Sequence, residues 1–266
     1  MPFMTTWTTD AVLAASTEWV WVPDDAQRVQ TEELLVVGYP DHFEVPTSAR
    51  VFGSGRDPEE LLDEVDRVAR GFGRDEVWWI VTDTTRPEGL EGALLARGGT
   101  VTERADVLAL PIAEGLPDLG VPAEVGIRRV TDERTLRDAL GVESDAFQSK
   151  PVPEDRIPQS LAELQTGLAD DSSGRVVAYV EGIPAATGGW TLAGEVCRLW
   201  GAGSATALRG RGAYRAVLAE RLRIGRDRGA TLGLTHGRVD TSSPILRRVG
   251  FTRYGEQRHV HVDVPG

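Results

Sequence analysis

Two arginines alternating with two glycines, Arg209-Gly210-Arg211-Gly212, lie between an apolar run that includes Leu199 and an amphipathic helical pattern over 212–228. Strand, glycine turn and helix in that order present free backbone N–H groups to an anion. Glycine takes positive φ and lets a ligand approach where a Cβ would stand in the way. The helix adds the positive end of its dipole, roughly half an elementary charge. A phosphate-bearing ligand is the expected occupant of this turn.

Residues able to move a proton are scattered. His236 ends a short apolar run after the helix, and the near-neutral intrinsic pKa of an imidazole suits a general base. The competing reading is a histidine in a Thr-His-Gly turn with no chemical task. Glu195 opens the strand that leads into the glycine turn, too far from it to reach the same ligand atoms. Glu143 and Asp145 close a helical pattern, where exposed carboxylates are ordinary surface. His259 and His261 share one face of a strand pattern and read as surface or packing residues. Cys197, the single cysteine, excludes a disulfide framework and a cysteine-rich metal site, and reads as a small buried hydrophobe. No metal is expected.

Composition limits the partners. The chain has 266 residues, 41% of them apolar, enough for one large domain or two ordinary ones. A formal charge of −12 argues against nucleic-acid binding, and therefore against Arg-Gly-Arg-Gly as a nucleic-acid arm. Lys150 is the only lysine. The opening MPFMTTWTTD lacks a basic, then apolar, leader pattern, and no apolar run approaches the ~20 residues of a membrane span. A cytoplasmic protein without a membrane partner is expected.

Elements follow from caps and periodicity. A capped helix is expected from Asp10, a strand over Leu34–Val37 and a short apolar segment over Val51–Gly55. Asp57 caps a helix begun at Pro58, with Leu61, Leu62, Val65, Val68 and Ala69 on one face and Gly71 as its stop. A strand over Val77–Val81, a short helix from Pro87 and a strand over Val101–Leu110 come next. Pro111–Pro122 holds prolines and glycines without a periodic face, so the boundary is placed there: one domain over 1–112, a linker over 113–123, and a second domain over 124–266. The second half reads as strand, helix capped by Thr131 or Asp132, second helix, and hairpin about Glu181-Gly182. Then come the strand into the glycine turn, the helix, a strand, a short helix over 242–249, and a last strand over 258–264. On the long helix Tyr214, Val217, Leu218 and Leu222 form the apolar face, and Arg221, Arg223, Arg226 and Arg228 crowd the C-terminal part, where cations suit the dipole.

The halves resemble each other. Phe52-Gly53-Ser54-Gly55 aligns with Trp200-Gly201-Ala202-Gly203, and each is followed by helix, strand, Pro-initiated short helix and closing strand. The first copy has no counterpart of Ser204–Gly212, and Asp57, Glu59 and Glu60 would repel a pyrophosphate.

This order of elements resembles the GNAT N-acetyltransferase superfamily. Arg209-Gly210-Arg211-Gly212-Ala213-Tyr214 matches the family's Arg/Gln-x-x-Gly-x-Gly/Ala loop except at Tyr214, and Ser242–Phe251 fits its short helix with a Gly-Phe end. The resemblance implies a mixed α/β (α+β) fold of two GNAT-like acyl-CoA N-acyltransferase domains, the N-terminal one a partial, worn copy. It further implies acetyl-CoA, or another acyl-CoA, wedged between two splayed strands. Ala202, Gly203 and Ser204 then offer backbone to the pantetheine, and Arg209, Gly210, Arg211, Gly212, Ala213 and Tyr214 hold the pyrophosphate without a metal, Ser243 being counted with these contacts. The activity implied is transfer of an acetyl group to a primary amine of a small molecule or peptide in a ternary complex, by a monomer or homodimer. The family's short helix usually carries a tyrosine that protonates the leaving thiolate; Leu246 stands there. Tyr254, Ser243 or water are the substitutes, and the missing tyrosine leaves a non-catalytic acyl-CoA sensor or scaffold as the alternative.

Overall fold

Capping and apolar spacing decide where the chain coils, and a computed structural model of the protein describes residues 7–265. Most of the opening segment read above for a leader, Met1–Thr6, lies outside the described residues. The first part runs α1 (Thr9–Thr17), β1 (Gln27–Gln30), β2 (Leu34–Gly38), β3 (Thr47–Val51), α2 (Pro58–Gly71), β4 (Glu76–Thr82), α3 (Leu90–Ala96) and β5 (Thr100–Pro111). The second runs β6 (Val125–Arg129), α4 (Glu133–Phe147), α5 (Ile157–Ala169), β7 (Ser173–Val180), β8 (Ile183–Ala193), β9 (Val196–Ser204), α6 (Ala213–Asp227), β10 (Leu232–Arg238), α7 (Ser242–Arg248) and β11 (Thr252–Asp263).

The caps act as their chemistry requires. The Asp57 carboxylate accepts from the Glu59 N–H ahead of α2, and Asp132 and Thr135 form a reciprocal capping box on α4. Glu181 and Gly182, both at positive φ, turn β7 into β8. Two short elements escaped the pattern. β1 reads Gln-Arg-Val-Gln, an exposed edge strand with no apolar alternation, and β3 lies at 47–51 rather than 51–55.

The chain forms two compact units that do not follow one cut in the sequence. The N-terminal unit is Thr9–Leu108 with Gly237–Ile245 and the chain from Arg253 on; the C-terminal unit is Ala109–His236 with Leu246–Thr252 and the described residues Trp7 and Thr8. In the N-terminal unit the strands lie in the order β1-β2-β3-β4-β11, with β5 next to β11. β11 pairs antiparallel with β4 from Gln257↔Thr82 to Asp263↔Glu76. In the C-terminal unit the order is β10-β9-β8-β7-β6, and the end of β5 reaches it, with the Ile112 N–H donating to the Thr231 carbonyl at 2.9 Å. The compact units therefore differ from the expected division at 113–123, which left 253–263 with the C-terminal half. Strand pairing is a long-range choice, and nothing local in β11 marks β4 as its partner.

Each unit buries its own core. Leu61, Leu62 and Val65 of α2 pack with Val36, Trp79 and Val260 in the N-terminal unit, while Leu136, Ala139, Ile157 and Val177 cluster in the C-terminal one. The internal repeat is visible in register. β3 and β4 pair in parallel through Ser48↔Trp78, Ala49↔Trp79 and Arg50↔Ile80; β9 and β10 pair through Val196↔Leu232, Cys197↔Gly233 and Arg198↔Leu234. The two ladders end at aligned residues. Among the described residues, no helix is long and apolar enough to cross a membrane.

Candidate cofactor-binding site

The site grows out of β9. Its parallel ladder with β10 stops at Arg198↔Leu234, and the Thr235 hydroxyl donates to the Leu199 carbonyl at 2.8 Å just beyond. Both strands continue, β9 as far as Ser204, without further paired residues between them. On its other edge β9 stays paired with β8, but the register shifts between Gly189↔Trp200 and Thr187↔Gly203. Three steps on β9 there match two on β8, which is a β-bulge, and Gly201 occupies it at φ +57°. The edge of Trp200–Ser204 that faces away from β8 thus carries backbone groups without a ladder.

Charged side chains flank the bulge. Arg221 of α6 is 1% exposed, and its guanidinium donates to the carbonyls of Gly189 (3.1 Å), Trp200 (3.3 Å) and Val217 (3.2 Å). Burial pulls its pKa below the usual arginine value. Arg175 pairs with Glu143 and lies over the Trp200 ring, 5.1 Å from its centroid. The Glu143 Oε1 sits 3.2 Å from the place a Cβ on Gly201 would take. Asp145 accepts from the Thr206 N–H, tying the start of the loop to the end of α4.

The loop itself has the shape the glycines suggested. Gly210 and Gly212 lie at φ +78° and +83°, a left-handed conformation that side chains rarely adopt. Arg209, Gly210 and Arg211 are exposed, and nothing stands within 4 Å of a Cβ placed on Gly210. At Gly212 a Cβ would come 2.5 Å from the Pro122 ring. Among the described residues no protein acceptor takes the N–H groups of Gly210, Arg211 or Gly212. α6 starts at Ala213, and its first turn adds N–H groups that have no partner within the helix. Arg211 forms an exposed ion pair with Glu181 at 2.7 Å.

Of the sequence-derived residues, Ala202, Gly203, Ser204, the loop 209–214 and His236 share the C-terminal unit. His236 is half-buried, one residue past Thr235. Tyr214 is half-buried, and burial raises its pKa, as suits a packing side chain. Ser243 needs correcting. Its hydroxyl is buried in the N-terminal unit and donates to Asp106 Oδ2, whose other oxygen takes the Arg253 guanidinium, so it is not free for a ligand. Tyr254 lies on β11, also in the N-terminal unit. Arg221, too, departs from its expected place at the exposed end of α6. The signal was present: it stands four residues after Val217 and seven after Tyr214, on the apolar stripe. Arg175 and Trp200 carried no such signal. Among the described residues no group of three His, Cys, Asp or Glu is arranged to hold a metal ion.

No protein-family model matches the sequence, and no curated protein matches it. Solved structures do. A GCN5-related N-acetyltransferase from Kribbella flavida is similar over 97% of this chain and 96% of its own, at 20% identity and a TM-score of 0.68. Another from Sphaerobacter thermophilus covers 88% of this chain and 82% of its own, at 18% identity and a TM-score of 0.66. A tandem GNAT protein from the clavulanic acid biosynthesis pathway covers 88% and 79%, at 18% identity and a TM-score of 0.60. The chain has the GNAT fold. Within this GNAT fold the C-terminal unit has the open glycine turn and the parted strands. Leu246 is 2% exposed, and its carbonyl accepts from the Phe251 N–H.

Proposed function

We propose that the protein is an acetyl-CoA-dependent N-acetyltransferase acting on a primary amine of a small molecule or peptide. The observation that carries this reading is the left-handed glycine turn, open to solvent, that joins the unladdered end of β9 to the N-terminus of α6. Backbone N–H groups at 210–213 hold the pyrophosphate, and Arg209 and Arg211 add charge, Arg211 exchanging Glu181 for phosphate. Ala202, Gly203 and Ser204 take the pantetheine amides along the free strand edge. When bound, acetyl-CoA supplies a thioester carbonyl open to nucleophilic attack. The chain orients that carbonyl against the acceptor amine, so that the amine nitrogen forms the new C–N bond, the C–S bond breaks and CoA leaves as the thiolate. His236 is assigned as acceptor of the proton the amine loses, and water as donor to the thiolate, since Leu246 has no proton to give. A cytoplasmic monomer or homodimer with neither nucleic-acid nor membrane partners belongs to the same proposal, supported by the charge of −12.

Gly210→Asp tests the cradle. Aspartate tolerates left-handed φ and adds a negative charge to an open position, so acetyl-CoA affinity by calorimetry falls about tenfold to a hundredfold with the fold kept. Unchanged affinity overturns the assignment. The buried Leu246 favours a second reading, an acyl-CoA binder without turnover. Amine-stimulated thiol release from acetyl-CoA excludes it, and tight binding without release establishes it.

A further inference from the structure

The GNAT reading leaves one buried cation unused. Arg221 has no carboxylate partner among the described residues, and a guanidinium withdrawn from water without one is strongly disfavoured. A leucine or methionine would fill the space between α6 and the sheet without that penalty. What the guanidinium supplies is geometric. It crosses from the helix to the carbonyls of Gly189 on β8 and Trp200 on β9, the last pair in register before the bulge. Nη1 alone serves both strand carbonyls, while Nε is tied back to the Val217 carbonyl of the helix, so a planar group is held at two separate nitrogens, which a lysine ammonium on its flexible stem does not reproduce. β8 leaves room for it at Gly188, where a Cβ would come 2.9 Å from the guanidinium carbon.

We propose that Arg221 is a positioning residue that fixes the β-bulge at Gly201, and with it the direction of the backbone groups of Trp200–Gly203 that meet the acyl end of the donor. The inference rests on the acyl-CoA reading above. It assigns the bulge to a helix side chain rather than to Gly201 alone. The left-handed φ at Gly201 permits the bulge, and Arg221 holds it in one register.

Amide hydrogen exchange, with acetyl-CoA as the probe, tests this on the full chain. In the unmodified protein acetyl-CoA slows exchange over both 199–204 and 209–214. In Arg221→Met and Gly188→Ala the loop remains protected while protection over 199–204 falls by about tenfold or more. Gly188→Ala keeps the cation and its ordinary backbone conformation and displaces the guanidinium, with a lesser crowding of Val217, so it decides the matter if Arg221→Met does not fold. Arg221→Lys, which loses the Nε bond to Val217, behaves like the methionine variant; if it restores full protection, charge and not the anchored guanidinium is responsible, and the proposal falls. Variants that melt cooperatively yet protect both segments normally overturn the positioning role alone. Absence of protection in both segments of the unmodified protein overturns the acyl-CoA reading, and this inference with it.

Discussion

Phe52–Gly55 and Trp200–Gly203 leave parallel ladders at aligned residues, Arg50↔Ile80 and Arg198↔Leu234, and then diverge. In the first copy the strand ends at Val51 and the Phe52 N–H returns to the Glu33 carbonyl. The Ser54 hydroxyl donates to Glu33 at 2.8 Å, and the Arg56 guanidinium is shared among Glu33, Glu60 and Glu64. Arg50 turns inward and donates to the carbonyls of Ser16 and Thr17 at the end of α1 and of Trp19 just beyond it. Every one of these donors is occupied by the protein's own oxygens. In the second copy the strand runs on to Ser204, and in the loop that follows the N–H groups of Gly210, Arg211 and Gly212 meet no protein acceptor among the described residues, while Arg209 and Arg211 are exposed. A glycine pattern alone does not make an anion site; donors left without internal partners do.

Substitutions at the two glycine stretches put that contrast at risk. Gly212→Val forces a branched side chain into left-handed φ and against Pro122, lowering unfolding stability by about 2–4 kcal/mol and weakening acetyl-CoA binding about a hundredfold. Gly55→Ala meets open space at an ordinary φ and leaves stability within about 0.5 kcal/mol, with affinity unchanged. Denaturant melts and calorimetry on the pair decide; equal behaviour removes the contrast. Arg50→Met, which strips buried carbonyls of their donor, costs about 2–3 kcal/mol in a urea melt and leaves acetyl-CoA affinity alone. A loss of affinity there means the first copy contributes to the site. A further test is at Cys197, which aligns with Ala49. Burial pushes its thiol up to about 12, so a disulfide reagent at pH 8 labels it only after unfolding. Cys197→Ala changes stability by about 1 kcal/mol.

What the sequence made legible were features whose cause is local. Asp57, Asp132 and Glu181-Gly182 act through neighbours two or three residues away, and Gly210 and Gly212 through their own φ. Arg50 was hidden because a charged letter suggests solvent, while it is drawn inward by carbonyls far along the chain; Arg221, drawn inward in the same way, was marked only by its place on the apolar stripe of α6. Ser243 was legible as a polar residue on a short helix, but its partner Asp106 lies 137 residues away. β1 has no apolar alternation to announce it, and β11 is apolar enough to be a strand without naming its partner.

That partner matters for how the protein comes into being. β4 waits for β11, which follows the whole of β5–β10 in the chain, so the sheet of the N-terminal unit cannot be finished until that intervening chain has been made. An unfinished β4 edge invites pairing with other chains. The pairing acts as a lock, since a fragment that stops before β11 leaves β4 with an open edge.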